Sequence, residues 1–310
     1  MNPADLGNRL RKNARHWGKW ARREGLEAYR LYDRDIPEFP YAIDRYGDYV
    51  QVQEFERDQP WAAAQRSAHL AAMAEALQLP ADHLVFKQRR RQRGSAQYEK
   101  TATPGHRFPV RERELRFEVN LGRYLDTGLF LDHRDTRRLV GAAAAGRTCL
   151  NLFAYTGSFT VYLAAGGAQR TVTVDMSHTY QAWTRRNLLL NGIDDFKRHR
   201  LVGEDVLQFL QQAVAARARF DLIVLDPPSF SNSKRMQDTF DVQRDHPQLL
   251  RQTLRLLAPD GLLYFSTNRR GFRLDAGICE AAHTEEITRL TVPPDFRRHL
   301  PHRCWLLRPA

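Results

Sequence analysis

Short apolar runs alternate with amphipathic segments through the second half of the chain. Helical patterns cover residues 157–165, 178–191, 206–216 and 241–257. Between and around them, runs rich in β-branched residues and bounded by turn residues predict strands over residues 148–153, 170–176, 199–205, 220–226 and 261–268. This alternation predicts a parallel sheet that is covered by helices on both faces.

Two further apolar runs, residues 286–292 and 303–309, lie close together near the end of the sequence. The space between them is short for a helix, so we expect them to add an antiparallel pair at one edge of the sheet. The predicted fold is therefore α/β, with a mostly parallel sheet of seven strands.

The first part of the chain has a different, α+β pattern. Apolar residues spaced three and four apart predict an amphipathic helix that ends at Gly25: Leu6, Leu10, Ala14, Trp17 and Ala21. A second helix is predicted over residues 61–79 and a polar loop over 93–107. Strands are predicted over residues 29–35, 41–46, 48–55, 84–90 and 114–121. We expect a smaller α+β domain over residues 1–120 and the α/β domain over 121–310.

Positive charge is concentrated in two runs of this first part, in a chain of 310 residues with a formal net charge of +12. Such runs are typical of surfaces that bind a phosphate backbone, although a solvated helix face gives the same pattern. Their members are Arg9, Arg11, Lys12, Arg15, Lys19, Arg22 and Arg23, then Lys87, Arg89, Arg90, Arg91 and Arg93.

The sequence lacks the features of a secreted or membrane protein. No segment approaches the roughly 18 apolar residues of a membrane span, and the basic start has no apolar signal region. We expect a cytoplasmic protein without membrane contact. Cys149, Cys279 and Cys304 are far apart and form no CxxC pair, so we expect three buried thiols and no metal site.

Acidic residues close successive predicted strands, where open α/β sheets bind ligands. Asp175 lies eighteen residues after Gly157, about where a nucleoside-binding fold places an acid that accepts ribose hydroxyls. Asp205 closes the next strand, where it can accept from an adenine amine or cap a helix. The sequence contains neither GxGxxG nor a P-loop, which disfavours NAD and ATP. These features favour S-adenosylmethionine.

The fourth strand closes on Asp226, followed by Pro227, Pro228, Ser229 and Phe230. The prolines fix the backbone, so the Pro227 carbonyl and the Asp226 carboxylate can both face a ligand. Phe230 can stack on an unpaired base. Together with the preceding strand ends, this corner predicts the target-base pocket of a methyltransferase, with Asp226, Pro227 and Phe230 as its catalytic residues.

Long motifs of the chain resemble the guanine-N7 methyltransferase half of bacterial ribosomal RNA large-subunit methyltransferase K/L. They include YLDTGLFLDHR at residues 124–134, NLFAYTGSFT at 151–160, DPPSFSNSKRM at 226–236 and FSTNRRGFR at 265–273. The resemblance covers nearly the whole chain. It implies a class I, Rossmann-like domain that transfers methyl from S-adenosylmethionine to guanine N7 in 23S rRNA, and an RNA-binding domain before it.

The resemblance also implies which residues bind the cofactor. The implied cofactor contacts are Phe130, Asp132, Arg134, Asn151, Phe153, Tyr155, Thr156, Gly157, Ser158, Asp175, Met176, Ser177, Asp205, Val206 and Asp226. The RNA contacts are expected from charge, because basic residues would hold the phosphate backbone while an unpaired base enters the site: Arg89, Arg90, Arg91, Lys234, Arg235, Arg269 and Arg270. The family's long form carries a guanine-N2 methyltransferase module that this sequence lacks, so a separate module of that kind is a candidate partner.

The residues alone leave the methylated atom open. Cytosine C5 needs a cysteine nucleophile, and neither DPPSF nor FSTN contains one. Guanine N7 and guanine N2 both suit the DPPSF corner, and the resemblance favours N7. The residues are also compatible with a non-catalytic RNA-binding protein or a small-molecule methyltransferase; cofactor binding and transfer of labelled methyl to rRNA would separate these classes.

Overall fold

The fold is that of a computed structural model of the chain. The structure describes every residue except 1, 58, 90–106, 123–126 and 232–238. The chain forms two compact units. One comprises Met1–Thr127 with Pro294–His299, and the other comprises Gly128–Pro293 with Leu300–Ala310.

The first unit is α+β. Its sheet has the order β1-β2-β3-β4, antiparallel except for the parallel β3 and β4, and β5 and β6 form a separate antiparallel pair. The elements are α1 (Pro3–Glu24), β1 (Ala28–Asp33), β2 (Tyr41–Tyr46), β3 (Tyr49–Phe55), α2 (Ala63–Leu77), β4 (Leu84–Arg89), β5 (Arg107–Glu112) and β6 (Leu115–Asn120).

Helix α1 begins and ends as its sequence predicts. The Asn2 side chain accepts a hydrogen bond from the Ala4 amide at 3.0 Å, which caps the first turn. Gly25 ends the helix in the left-handed conformation, with φ of 68°. Leu6 and Leu10 are fully buried in the core of this unit, so packing of one face stabilises the helix.

The second unit alternates strands and helices. Its elements are α3 (Arg134–Ala142), β7 (Thr148–Leu152), α4 (Ser158–Ala165), β8 (Arg170–Val174), α5 (His178–Leu190), β9 (His199–Val202), α6 (Val206–Ala215), β10 (Phe220–Leu225), β11 (Phe230–Ser231), β12 (Phe240–Asp241), α7 (Val242–Leu254), β13 (Leu257–Thr267), α8 (Ala276–Ala281), β14 (Ala282–Glu286), α9 (Thr288–Thr291) and β15 (Arg303–Pro309).

Seven of these strands form one sheet in the order β14-β15-β13-β10-β7-β8-β9. The five from β13 to β9 are parallel, and β15 and β14 add antiparallel strands at one edge. The predicted mostly parallel, seven-stranded α/β sheet is therefore confirmed. The order of successive strands reverses between β7 and β10: β8 and β9 follow on one side of β7, and β10 and β13 lie on the other. Ligands bind at such switch points.

Two predictions from the sequence are wrong. Residues 286–292 are not a strand: β14 lies earlier, at Ala282–Glu286, and the chain then turns into α9, where the Thr288 hydroxyl accepts from the Cys304 amide. Cys279 is exposed, because the six-residue α8 buries only Ile278. Cys149 and Cys304 are buried as predicted. Among the described helices, none is long and apolar enough to cross a membrane.

Gly157, at the start of α4, is packed closely against α5. Its φ is 71°, and a Cβ atom built there would lie 2.3 Å from Cγ2 of Thr184, which is 1% exposed. Gly146 has nearly the same φ, 72°, but a Cβ atom there would have no heavy atom within 4 Å. The two glycines therefore share the backbone constraint and differ in the space around them.

We expect Gly157→Ala to be more destabilising than Gly146→Ala. A non-glycine residue in the left-handed region should lower the free energy of unfolding of both variants by about 1–2 kcal/mol. Overpacking against Thr184 should lower that of Gly157→Ala further, by about 1–3 kcal/mol. Urea unfolding of both variants measures the difference. Equal losses in the free energy of unfolding would contradict the close packing of Gly157 on Thr184.

Candidate active site

The loop that follows β7 has an unusual backbone. Phe153 and Tyr155 have positive φ angles of 55° and 52°, and Gly157 follows with 71°. Non-glycine residues in this region cost free energy, and they are concentrated at ligand sites, where the surrounding structure holds them in place. The loop is therefore a candidate for contact with a ligand.

Side chains on neighbouring elements fix this loop. Thr184 Oγ1 donates to the Tyr155 carbonyl at 3.3 Å, and Asn187 Nδ2 donates to the Thr156 carbonyl at 2.9 Å. Thr156 Oγ1 donates to the Gly128 carbonyl at 2.6 Å. Two of these donors come from α5, so its packing sets the loop conformation.

Asp175 connects this loop to the end of β8. Its Oδ2 accepts from the Tyr155 amide and its Oδ1 from the Ser177 amide, both at 2.8 Å. Burial raises the pKa of Asp175 to about 6, although the two amide hydrogen bonds oppose the rise. Ser177 also caps α5 through its hydroxyl, and Met176 between them is partly buried.

Asp205 lies at the end of the following strand as the N-cap of α6. Its Oδ1 accepts from the amides of Leu207 and Gln208 at 2.9 and 3.2 Å. The next residue, Val206, is 2% exposed and packs in the core. The helix-capping role considered for Asp205 is thus present, and any contact with a cofactor stays a prediction.

Asp226 closes β10 on the other side of the switch point. Ser266 Oγ donates to its Oδ1 at 2.6 Å, and His133 Nε2 lies 3.5 Å from its Oδ2. The Asp226 side chain is 25% exposed, so it is open to a ligand. The DPPSF and FSTN segments therefore meet, and Ser229 Oγ also donates to Asn268 Oδ1 at 2.5 Å.

Phe130 and Phe230 expose their rings, by 39% and 48% respectively. The Phe130 ring lies 5.1 Å from that of Tyr155, in a tilted contact. Pro227 is buried beside Asp226. Exposed aromatic rings in the segments that carry Asp132 and Asp226 suit the flat rings of a nucleoside.

Three other implied cofactor contacts are directed into the protein. Asn151 is 1% exposed, and its Nδ2 donates to Thr160 Oγ1 at 3.0 Å. Arg134 is fully buried in α3. Phe153 packs against the core with its ring 6.0 Å from that of Phe240. A further implied contact, Ser158, begins α4.

Asp132, His133 and His302 bring one potential metal-ligand atom each to within 4.8 Å of one another. However, the two imidazole rings are stacked, 4.1 Å apart at 14°. A metal ion lies in the plane of each ligating imidazole at about 2.0–2.1 Å, and two parallel stacked planes cannot both contain one ion. His302 Nδ1 instead donates to Asp132 Oδ2 at 3.0 Å, in a buried hydrogen-bond network.

The expected RNA contacts are only partly described. Arg269 Nη1 forms an ion pair with Asp241 at 2.7 Å, and Arg270 is exposed. Arg89 ends β4, but its side chain lies outside the described part of the chain. Residues 90, 91, 234 and 235 lie outside it altogether.

The chain matches a family model described as S-adenosylmethionine-dependent methyltransferase over residues 43–304. It belongs to this methyltransferase family. Ribosomal RNA large subunit methyltransferase K of Neisseria meningitidis serogroup B (strain ATCC BAA-335 / MC58) is 52% identical over 307 residues, which cover 98% of this chain and 86% of that protein. The implied class I methyltransferase fold and the use of S-adenosylmethionine are thereby confirmed.

Two solved structures are similar over 99% of this chain. One is a methyltransferase complexed with SAH, at 24% identity, with 82% of that chain covered and a TM-score of 0.78. The other is a SAM-dependent methyltransferase from Streptococcus mutans, at 25% identity, with 81% covered and the same TM-score. The likeness extends through both units of this methyltransferase.

The residues at the switch point fit the methyltransferase cofactor. Burial destabilises the ionised form of Asp175, and the hydrogen bonds from two backbone amides offset this effect only in part. Ribose hydroxyls would add donors to this carboxylate, so the site suits a nucleoside better than a phosphate, which would add negative charge. We expect Asp175 to hold the ribose, with the loop from Phe153 to Gly157 beside it.

Sequence reasoning missed three residues of this methyltransferase site: His133, Ser266 and His302. Ser266 stands in the FSTN motif and His133 directly follows Asp132. Both motifs entered the resemblance, but neither of these two residues was given a role. Nothing in the sequence around His302 connects it to Asp132, 170 positions earlier. Only the packing of β15 beside β13 indicates that link.

We expect cofactor affinity to fall below pH 6. The raised pKa means that Asp175 gains a proton near pH 6 and then accepts ribose hydroxyls less well. At pH 5 about one carboxylate in ten stays ionised, so the Kd for S-adenosylmethionine should rise about tenfold from its value at pH 7. Calorimetry across pH 5–8 measures this dependence. In Asp175→Asn the dependence should vanish; if it persists, another group controls binding.

Proposed function

We propose that the protein transfers a methyl group from S-adenosylmethionine to N7 of a guanine in 23S rRNA. We further propose that it corresponds to the guanine-N7 half of methyltransferase K/L, and that the rRNA substrate places it in the cytoplasm. The name of the Neisseria relative supports the substrate class. The observation that carries the proposal is the Asp226 carboxylate, which accepts from Ser266 at the switch point, with the exposed Phe230 four residues later in the same segment.

The chemistry of N7 suits these residues. N7 has an in-plane lone pair and no proton, so its methylation needs orientation rather than a general base. Bound S-adenosylmethionine supplies the electrophilic methyl group. Asp226 would accept from N1–H and N2–H of guanine and offset the positive charge that develops on the purine. Phe230 would stack on the ring.

Guanine N2 is the second candidate atom, because an Asp-Pro-Pro corner can also hold an amine. Transfer to N2 requires loss of a proton, whereas transfer to N7 does not. A cysteine mechanism at C5 receives no support from the two buried thiols, since burial raises the pKa of Cys149 to about 12 and that of Cys304 as well. Product analysis separates N7 from N2.

Helix α1 offers a surface for the RNA backbone. Five of its cations, on the side opposite Leu6 and Leu10, are exposed along about 17 Å of helix: Lys12, Arg15, Lys19, Arg22 and Arg23. They line a surface cavity together with His16, Trp17 and Trp20. Trp17 and Trp20 pack against the core of this unit, so the cations are the groups that this surface offers to a phosphate backbone. This surface supports an RNA-binding role for the first unit.

The position of N7 requires an unpaired guanine. In A-form RNA, N7 faces a deep, narrow groove that side chains do not enter. The target base must therefore be single-stranded or extruded before it reaches Asp226 and Phe230.

Asp226→Ala should abolish methyl transfer while cofactor affinity stays within about threefold of the wild type, because the carboxylate orients the base. Single-turnover transfer of tritiated methyl to protein-free 23S rRNA measures the rate, and borohydride and aniline cleavage identifies 7-methylguanosine. The matched control is Asp260→Ala, an exposed residue of β13. An unchanged rate in Asp226→Ala would remove Asp226 from the mechanism, and uncleaved methylated RNA would exclude N7.

Replacing Lys12, Arg15 and Lys19 with alanine should weaken RNA binding and flatten its salt dependence. Loss of three phosphate contacts lowers the slope of log K against log salt by about 2 for a single strand. The control replaces three exposed arginines of the second unit, Arg217, Arg219 and Arg255, with the same change in charge. Equal slopes in the two triple variants would exclude α1 as a specific RNA surface.

A further inference from the structure

Two buried histidines of the second unit have no role in the reaction proposed above. His133 and His302 are 5% and 2% exposed. Buried imidazoles cost free energy unless their nitrogen atoms have partners. His133 Nδ1 lies 3.3 Å from Thr136 Oγ1, and His302 Nε2 lies 3.2 Å from Thr291 Oγ1. Each ring directs its other nitrogen toward a carboxylate.

Asp226 has a polar neighbour beside each carboxylate oxygen. Ser266 Oγ donates to Oδ1 at 2.6 Å, and His133 Nε2 lies 3.5 Å from Oδ2, in a longer polar contact. Burial and the charge of His302 lower the pKa of His133, although Asp226 opposes the shift, so the ring is neutral near pH 7. A neutral ring next to a carboxylate carries its proton on Nε2 and accepts from the Thr136 hydroxyl on Nδ1. His133 therefore presents an N–H to Asp226.

The His133 ring is itself fixed by His302. The rings stack at 4.1 Å, and Phe159 contacts the edge of His133 at 5.7 Å. His302 is held by Asp132. Burial raises the pKa of this carboxyl, but electrostatic interaction with the two imidazole groups and the hydrogen bond from His302 outweigh burial and lower it. Ionised Asp132 has no proton to give, so it accepts from His302 Nδ1–H.

We propose that His133 is a positioning residue that, together with Ser266, fixes the rotation of the Asp226 carboxylate, and that His302 and Asp132 hold the His133 ring in place. This inference rests on the proposed role of Asp226. Each Asp226 oxygen has a second lone pair that is free to accept from the ligand. With rotation fixed, these lone pairs point in defined directions, as a bidentate contact with N1–H and N2–H requires.

The test uses three variants of the full chain: His133→Phe, Ser266→Ala and the double variant. Phenylalanine keeps a flat ring on His302 but offers no N–H. Each single variant should lower the single-turnover rate about 10- to 100-fold, as expected for one hydrogen bond to a charged group. The Kd for S-adenosylmethionine should stay within about twofold, since neither side chain is expected to contact the cofactor.

The double variant decides the proposal. If both residues act only through Asp226, the second substitution acts on a carboxylate that already rotates, and the double variant should be no more than about threefold slower than the slower single variant. Losses that multiply would show that His133 acts elsewhere and would overturn the inference. Ser266→Ala removes only one hydroxyl group. It therefore still tests the fixed orientation of Asp226 if His133→Phe folds poorly.

His133→Gln provides a rescue, because its amide nitrogen reaches about as far as the imidazole Nε2. The single-turnover rate of His133→Gln should be at least about tenfold higher than that of His133→Phe. Equal rates in the two variants would contradict the N–H contact. The proposed function fails separately: wild-type protein that leaves 23S rRNA unmethylated refutes the reaction. A wild type that methylates guanine N7, with no loss in His133→Phe, refutes only the positioning role.

Discussion

The candidate site depends on one partly buried carboxylate, that of Asp175. Asp175 accepts from one amide in the loop after β7 and from another at the start of α5. These two hydrogen bonds stabilise positive φ angles in a loop that would otherwise be unfavourable, and they link two adjacent strand ends. The same carboxylate remains under-compensated for its burial, as its raised pKa shows. The Asp175 carboxylate therefore fixes the loop and can still accept further hydrogen bonds, which ribose hydroxyls can donate.

On the other side of the switch point, the carboxylate has side-chain rather than backbone partners. Asp226 is partly exposed and held by side chains rather than by amides. Side-chain donors allow the orientation of a carboxylate to be set by residues far apart in sequence. Because β13 and β15 are neighbours, the sheet brings Ser266 and His302 to the same region as the segment from Phe130 to Arg134. The proposed cofactor side is thus held by backbone contacts, and the proposed base side by a polar side-chain network.

Much of this arrangement was predictable from the sequence. Hydrophobic periodicity predicted the five parallel strands and the helices between them, and the acids Asp175, Asp205 and Asp226 stand at strand ends as expected. The region around residues 282–292 was predicted wrongly, because a short strand followed by one helical turn has the same apolar content as a single strand. Helix α3 and strand β5 were also not predicted.

The polar network around Asp226 was not predictable for a different reason. Periodicity identifies faces and ends of elements but not which strands become neighbours. The contact between His302 and Asp132 exists only because β15 runs antiparallel to β13 inside the sheet. Likewise, the capping role of Asp205 and the inward direction of Asn151 depend on local geometry that residue types alone do not define.

A crystal structure of this protein with S-adenosylhomocysteine and a guanine-containing oligonucleotide tests the central claim most directly. The account predicts electron density with the ribose hydroxyls on the Asp175 carboxylate, and an unpaired guanine between Asp226 and Phe230 with N7 facing the sulfur. Density that places the nucleoside away from Asp175, or a guanine that presents another atom to the sulfur, would contradict it.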